Sequence, residues 1–178
     1  MKKTFFKLLC AIPFIGLAAC ESNSELTTTT VKELDLAKYV GSWYEVARFD
    51  HRFERDLVGC KAKYTINEDG TVKVVNSGYK ETLNGKYKES EGKARRPDAA
   101  KPGQLEVSFF MGFYSEYNVM ELAEDYRYAL VGSKSEDYLW ILSRTPQLDP
   151  VDKDFLLRQA RARGYDTDQL IWVEQRTD

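Results

Sequence analysis

The chain has few cysteines, one histidine and no long apolar segment beyond its N-terminus, and each shortage removes a class of chemistry. Its 178 residues include three Cys and a single His, His51. One imidazole with so few thiols cannot build a Cys/His zinc cluster, and no calcium loop, phosphate-cradling glycine loop or nucleophile elbow is present. No metal and no cofactor is therefore expected. Imidazole-based catalysis would have to run through His51 alone, which argues against an enzyme. A basic excess is missing too. The 26 Lys and Arg are outnumbered by 28 Asp and Glu, and three of the lysines with no acid lie in the first nineteen residues, leaving the remainder net −5. That balance excludes a nucleic-acid footprint. What the chain does have is aromatic side chains, 13% of the total with 11 Tyr, 9 Phe and 3 Trp. Such a composition suits one folded core and excludes a disordered chain.

The N-terminus reads as an address. Lys2, Lys3 and Lys7 precede and enter an apolar stretch, Leu8 to Ala19, of twelve residues. At about 1.5 Å per residue this run is too short to cross a bilayer core of roughly 30 Å, so residues 1–19 are expected to be a signal peptide. Its end, Leu17-Ala18-Ala19-Cys20, resembles the lipobox of bacterial lipoproteins. The resemblance implies cleavage before Cys20 and acylation of its thiol, which would attach the chain to a membrane. Each buried methylene of such an anchor adds about 0.8 kcal/mol. The segment that follows, ESNSELTTTT at 21–30, is polar and small, so residues 20–30 are expected to be a flexible tether and 31–178 the folded domain. In enterobacteria an Asp after the lipidated Cys retains a lipoprotein in the inner membrane. Glu21 stands there instead, which points to the outer membrane, on its periplasmic face. Cys60 is then the one remaining thiol, with no partner for an intramolecular disulfide, and is expected to be a buried small hydrophobe on a strand.

From Gly41 onward, short runs of alternating apolar and polar residues recur with turn chemistry between them. Cys60, Ala62, Tyr64 and Ile66 alternate with polar partners, and Asn67-Glu68-Asp69-Gly70 turns into Val72–Val75. Adding Trp43–Phe49, 85–95, 104–110, 116–122, 126–132 and 137–143 predicts eight strands, enough to close an antiparallel barrel with room for a small ligand. A sandwich is the other arrangement with this pattern. Asp149-Pro150, a helical run Val151–Arg163 and Gly164 predict a C-terminal helix, whose apolar residues fall on no single face. Ile171-Trp172-Val173 closes the chain as a short strand.

The motifs favour the barrel. Gly41-Ser42-Trp43-Tyr44 resembles the G-x-W motif of the lipocalins, Asp125-Tyr126 the second motif of that family, and Arg144 after Leu139–Ser143 the third. The runs WYEVARFDHRFER from Trp43, SEGKA from Ser90 and DYLWILSRTP from Asp137 resemble the bacterial outer-membrane lipoprotein branch, which shares the apolipoprotein D-like lineage. The resemblance spans about residues 35–173 and implies an eight-stranded up-and-down barrel that carries a fatty acid or lysophospholipid. It also implies a homodimer. Gly41, Trp43, Asp125, Tyr126 and Arg144 become framework residues, with Arg144 stacked on the Trp43 indole at the closed end.

Placing Trp43 inward by that resemblance assigns the interior as Glu45, Ala47 and Phe49, then Val72, Val74 and Asn76, then Leu105, Val107 and Phe109, then Tyr117 and Val119, then Tyr138, Trp140 and Leu142. This lining is apolar and aromatic, fitted to an acyl chain. An enzyme of isomerase or esterase type, or a filled structural barrel, would use the same interior differently. Glu45 is the exception, an inward carboxylate that needs a head group or an inward cation. Two further segments stand out. The loop 50–55 mixes Arg52 and Arg55 with Phe53 and is placed over the barrel mouth. The apolar run Phe109–Tyr114 offers a surface for a membrane or a second copy if exposed.

Overall fold

The computed structural model describes residues 26–110 and 112–176. The expected signal peptide, the expected lipidation at Cys20 and residues 20–25 of the expected tether lie outside the described residues. Residues 26–30, expected to be tether, lie against the body: Thr27 N donates to Arg163 O at 3.0 Å, Arg163 Nη1 donates to Thr29 O, and Leu26 packs on the helix-side core.

Eight antiparallel strands close a barrel: β1 (Gly41–Arg48), β2 (Leu57–Ile66), β3 (Val72–Lys80), β4 (Tyr87–Arg95), β5 (Gln104–Phe110), β6 (Phe113–Leu122), β7 (Tyr128–Gly132) and β8 (Leu139–Ser143). Each pairs with the next, and β8 returns to β1, so no edge is left open between them. The expected strands are all present, with shifted ends. Tyr126 is the main displacement, since it lies in the β6–β7 turn at φ +61 and outside β7. The β2–β3 hairpin forms where Asn67–Gly70 predicts it, with Gly70 at φ +76 and Asn67 N donating to Thr71 O at 2.8 Å.

Two cores result, one on each side of the barrel wall. Inside, Trp43, Ala62, Tyr64, Val72, Val74, Ala94, Leu105, Val119 and Leu142 pack together. Outside, Val46, Met120, Leu130, Leu139 and Ile141 meet α2 (Pro150–Ala162). The helix starts as expected, its Asp149 cap accepting from Val151 N at 2.8 Å. Its buried residues are Asp152, Leu156 and Ala160. Periodicity could not find this face because one of its three positions is a carboxylate, which is paired to Arg127 at 2.7 Å.

The C-terminal segment has a task the sequence did not reveal. β1 pairs with β2 only from Gly41 to Tyr44, and beyond that point the two strands part. β9 (Ile171–Trp172) pairs with Ala47 and Arg48, Val173 N donates to Val46 O, and Gly59 N on β2 donates to Glu174 O at 2.7 Å. Gln175 Nε2 completes the bridge by donating to Glu45 O and Cys60 O. Backbone groups freed by the splay are thus satisfied by the chain's own end.

Candidate functional site

One end of the barrel is shut by a plug. The four-residue helix α1 (Leu36–Tyr39), too short to leave a periodic signal, lies across it. Three closed-end turns hold the plug: Arg96 donates to Leu34 O at 2.9 Å, the Tyr126 hydroxyl accepts from Asp35 N at 3.0 Å, and Arg144 donates to Lys38 O, Tyr39 O and Val40 O. The Arg144 guanidinium also lies 3.7 Å from the centroid of Trp43, whose Nε1 donates to Tyr39 O at 2.8 Å. Gly41 takes φ +97, a backbone conformation that favours glycine, and lies directly beside the Arg144 guanidinium. Asp125 accepts from Arg127 N at 3.2 Å and orders the β6–β7 turn. All five signature residues thus make their contacts at the closed end of the barrel.

Above this floor lies a cavity of about 1150 Å³ that opens at the other end. Of the residues assigned inward, Glu45, Val72, Val74, Asn76, Leu105, Val107, Phe109, Tyr117, Tyr138, Trp140 and Leu142 line it. Val119 faces the same interior but is fully buried in the packing below the cavity. Ala47 and Phe49 do not face inward. A β-bulge between Glu45 and Ala47 in the β1–β8 ladder shifts the alternation by one residue, so both side chains join the helix-side core. Arg48 turns inward instead.

That shift answers what Glu45 meets. Arg48, 2% exposed, donates to Glu45 Oε1 at 3.2 Å, to Glu54 O at 2.7 Å and to Leu57 O at 3.2 Å. Glu54 Oε2 in turn lies 2.9 Å from His51 Nε2 and accepts from Trp140 Nε1 at 3.2 Å. Burial, and after it the Glu54 charge, push Glu45 well above the ordinary carboxylate range despite the opposing Arg48. Burial also acts on Glu54, but its contacts with His51, Trp140 and Arg48 outweigh it and hold that carboxyl below the ordinary range. The outcome is a buried network that pins the β1–β2 loop to the barrel wall. Sequence reasoning missed Arg48 because a bulge leaves no residue-type signature.

The loop 50–55 does lie at the mouth, where Arg52, Phe53 and Arg55 line the cavity entrance. Arg52 stacks on Phe53 at 4.7 Å and Arg55 pairs with Asp50 at 3.1 Å. Lys80, Lys88 and Lys134 add further cations to the rim. Phe110 and Phe113 face each other across the β5–β6 hairpin end and are 72% and 76% exposed. Cys60 is buried, and that burial raises its thiol well above the ordinary range. Among the described residues no three His, Cys, Asp or Glu side chains gather as metal ligands, and no helix is long and apolar enough to cross a membrane.

A closed eight-stranded barrel, plugged at the G-x-W end and flanked by one helix, defines a lipocalin. Residues 34–175 match the model of the lipocalin-like domain, and the chain belongs to that family. It is 43% identical over 162 residues to Outer membrane lipoprotein Blc of Escherichia coli (strain K12), covering 91% of each chain. The Blc lipoprotein of Vibrio cholerae is 41% identical over 174 residues, 97% of this chain and 99% of that one. Apolipoprotein D of Mus musculus is 30% identical, covering 81% and 78%. Among solved structures, insecticyanin from Manduca sexta superposes with a TM-score of 0.66 at 23% identity, covering 83% of this chain and 84% of that one, which shows the shared fold. The bacterial relatives place the chain among outer-membrane lipoproteins.

Proposed function

We propose that this lipocalin binds fatty acids or lysophospholipids in its barrel while tethered to the outer membrane through acylated Cys20, and that it serves membrane maintenance under stress. The observation that carries this reading is the cavity. Its wall is built from Val72, Val74, Ala94, Leu105, Val107 and Leu142, while its rim carries Arg52 and Lys88 together with Arg55, Lys80 and Lys134, the last three paired with Asp50, Glu81 and Glu116. An apolar bore with a cationic mouth matches a molecule with a long tail and an anionic head. A filled structural barrel has no use for such a space. An esterase or isomerase reading is less well supported, because no hydroxyl or thiol among the described residues is hydrogen-bonded to His51.

Native mass spectrometry of protein extracted from its own membrane tests the reading. A non-covalently retained lipid bearing one acyl chain is expected. Protein that carries none, and that takes up none from an added lysophospholipid, would contradict it.

A further inference from the structure

The deep end of the cavity is not uniformly apolar. Tyr39 on α1, Tyr64 on β2 and Tyr117 on β6 all line it, and their hydroxyls form a short chain: Tyr39 to Tyr117 at 2.8 Å and Tyr64 to Tyr117 at 3.0 Å. Burial pushes all three phenols upward, so each keeps its proton. A neutral phenol has one proton to donate. Three hydroxyls joined by two bonds therefore have one O–H left over, and no other group among the described residues accepts it.

A second polar group stands close by with the opposite need. Asn76 on β3 also lines the cavity, and its Oδ1 is buried with no donor. Tyr64 pairs with Val74 and Ala62 with Asn76, which sets Asn76 two positions above Tyr64's partner on the same face. Two residues along a strand span about 7 Å. A spare donor and an orphaned acceptor thus flank one stretch of an otherwise apolar bore.

A plain methyl terminus placed there satisfies neither group, and leaving buried donors and acceptors unmade is the expensive case in hydrogen-bond energetics. A hydroxyl can accept from the tyrosine chain and donate to the amide oxygen at once. We infer that the cavity floor is a subsite for an oxygen carried at the buried end of an acyl chain, so that terminally hydroxylated chains are preferred to unsubstituted ones. The inference rests on the lipid-binding reading above and adds a class of ligand to it.

The test compares methyl palmitate with methyl 16-hydroxypalmitate, in which the ester removes the carboxyl and only the far oxygen differs. Both compete against a fluorescent acyl probe on the mature chain carrying Cys20→Ser. An apolar floor would weaken the hydroxy ester by about tenfold, since a buried unpaired hydroxyl costs affinity. The subsite instead makes the hydroxy ester tighter by about tenfold. Tyr39→Phe should keep that preference, because two phenols sharing one bond still have a proton over. The triple variant Tyr39→Phe, Tyr64→Phe, Tyr117→Phe should abolish it, and Asn76→Leu should reduce it. A wild-type protein that binds the plain ester as tightly or tighter overturns the subsite and leaves lipid binding intact. A preference that survives both the triple variant and Asn76→Leu also overturns it. Failure of both esters to displace the probe overturns the subsite, and failure of palmitate itself as well overturns the lipid reading with it.

Discussion

Arg144 holds Trp43 and the plug in a single grip: its guanidinium stacks on the indole at 3.7 Å while donating to the carbonyls of Lys38, Tyr39, Val40, Ser42 and Tyr126. The residue before β1, the first strand, the plug and the β6–β7 turn all depend on one side chain after β8. Its planar fork of donors is suited to such a set of carbonyls, and lysine could not reproduce it.

Arg144→Ala should therefore destabilise the barrel by about 2–3 kcal/mol, from the lost cation–π contact and carbonyl bonds together. Ligand selectivity should not change, because the guanidinium lies beneath Trp43 and not in the cavity. Denaturant unfolding and ligand competition on the same variant check both halves. Unchanged stability with altered selectivity would contradict the framework role.

Glu45 makes a prediction about pH. Its carboxyl is raised by burial and by Glu54 in the folded state. A group raised in this way contributes stability that is fully present below its unfolded pKa, about 4.3 for glutamate, and lost as pH rises through the folded value. Glu45→Gln, which cannot ionise, should melt higher than the wild type at about pH 8, with the difference closing toward pH 4. Glu54 runs the other way, being lowered in the fold. Glu54→Gln should cost stability at neutral pH, and that cost should shrink as acid protonates the wild-type carboxyl. Thermal melts across pH decide both. A Glu45→Gln variant less stable than wild type at pH 8 would mean that Glu45 stands ionised against Arg48.

Leu156 on α2 is fully buried against the outer face of the barrel. Leu156→Ala should cost about 2–5 kcal/mol, the usual range for a cavity of this kind. Affinity for lipid should be unaffected, since the wall of β-strands separates this core from the bore. A loss of affinity at temperatures where the variant is fully folded would show that the helix shapes the cavity.

How far the sequence could be read depended on whether a residue's environment follows from its position in a simple repeat. The strands did, because alternation and turn residues such as Asn67–Gly70 act locally. So did the helix start at Asp149-Pro150. The inward face of β1 held for Trp43 and Glu45 and then failed at Ala47 and Phe49, since a bulge inserts one residue without marking it. Arg48 was invisible for the same reason. The pairing of β9 with β1, where β1 and β2 part, is a matter of long-range contact and has no local signal. Tyr64 stood on a recognised alternating face, but only the closed barrel brings it to Tyr39 and Tyr117.

Anchoring gives a separate prediction, on residues outside the described structure. Membrane-extracted protein should show by intact mass the loss of residues 1–19 and the addition of acyl groups at Cys20. Cys20→Ser should release the chain from the membrane with its barrel melting unchanged. A mature species with an unmodified thiol at Cys20 would falsify the anchor.

In the proposed lipid complex an acyl tail occupies the bore beside Val74, Val107 and Trp140. Trp140 lines the cavity, whereas Trp43 is sealed beneath the floor and Trp172 lies on the outer strand β9. Titrating delipidated protein with saturated lysophospholipids of increasing chain length, while following tryptophan emission, probes that placement. Affinity should rise by about fourfold for each methylene that enters the bore, from about 0.8 kcal/mol apiece. The emission change should vanish in Trp140→Phe and persist in Trp172→Phe. Affinity that does not depend on chain length, or an emission change retained in full by Trp140→Phe, would contradict a tail in the cavity.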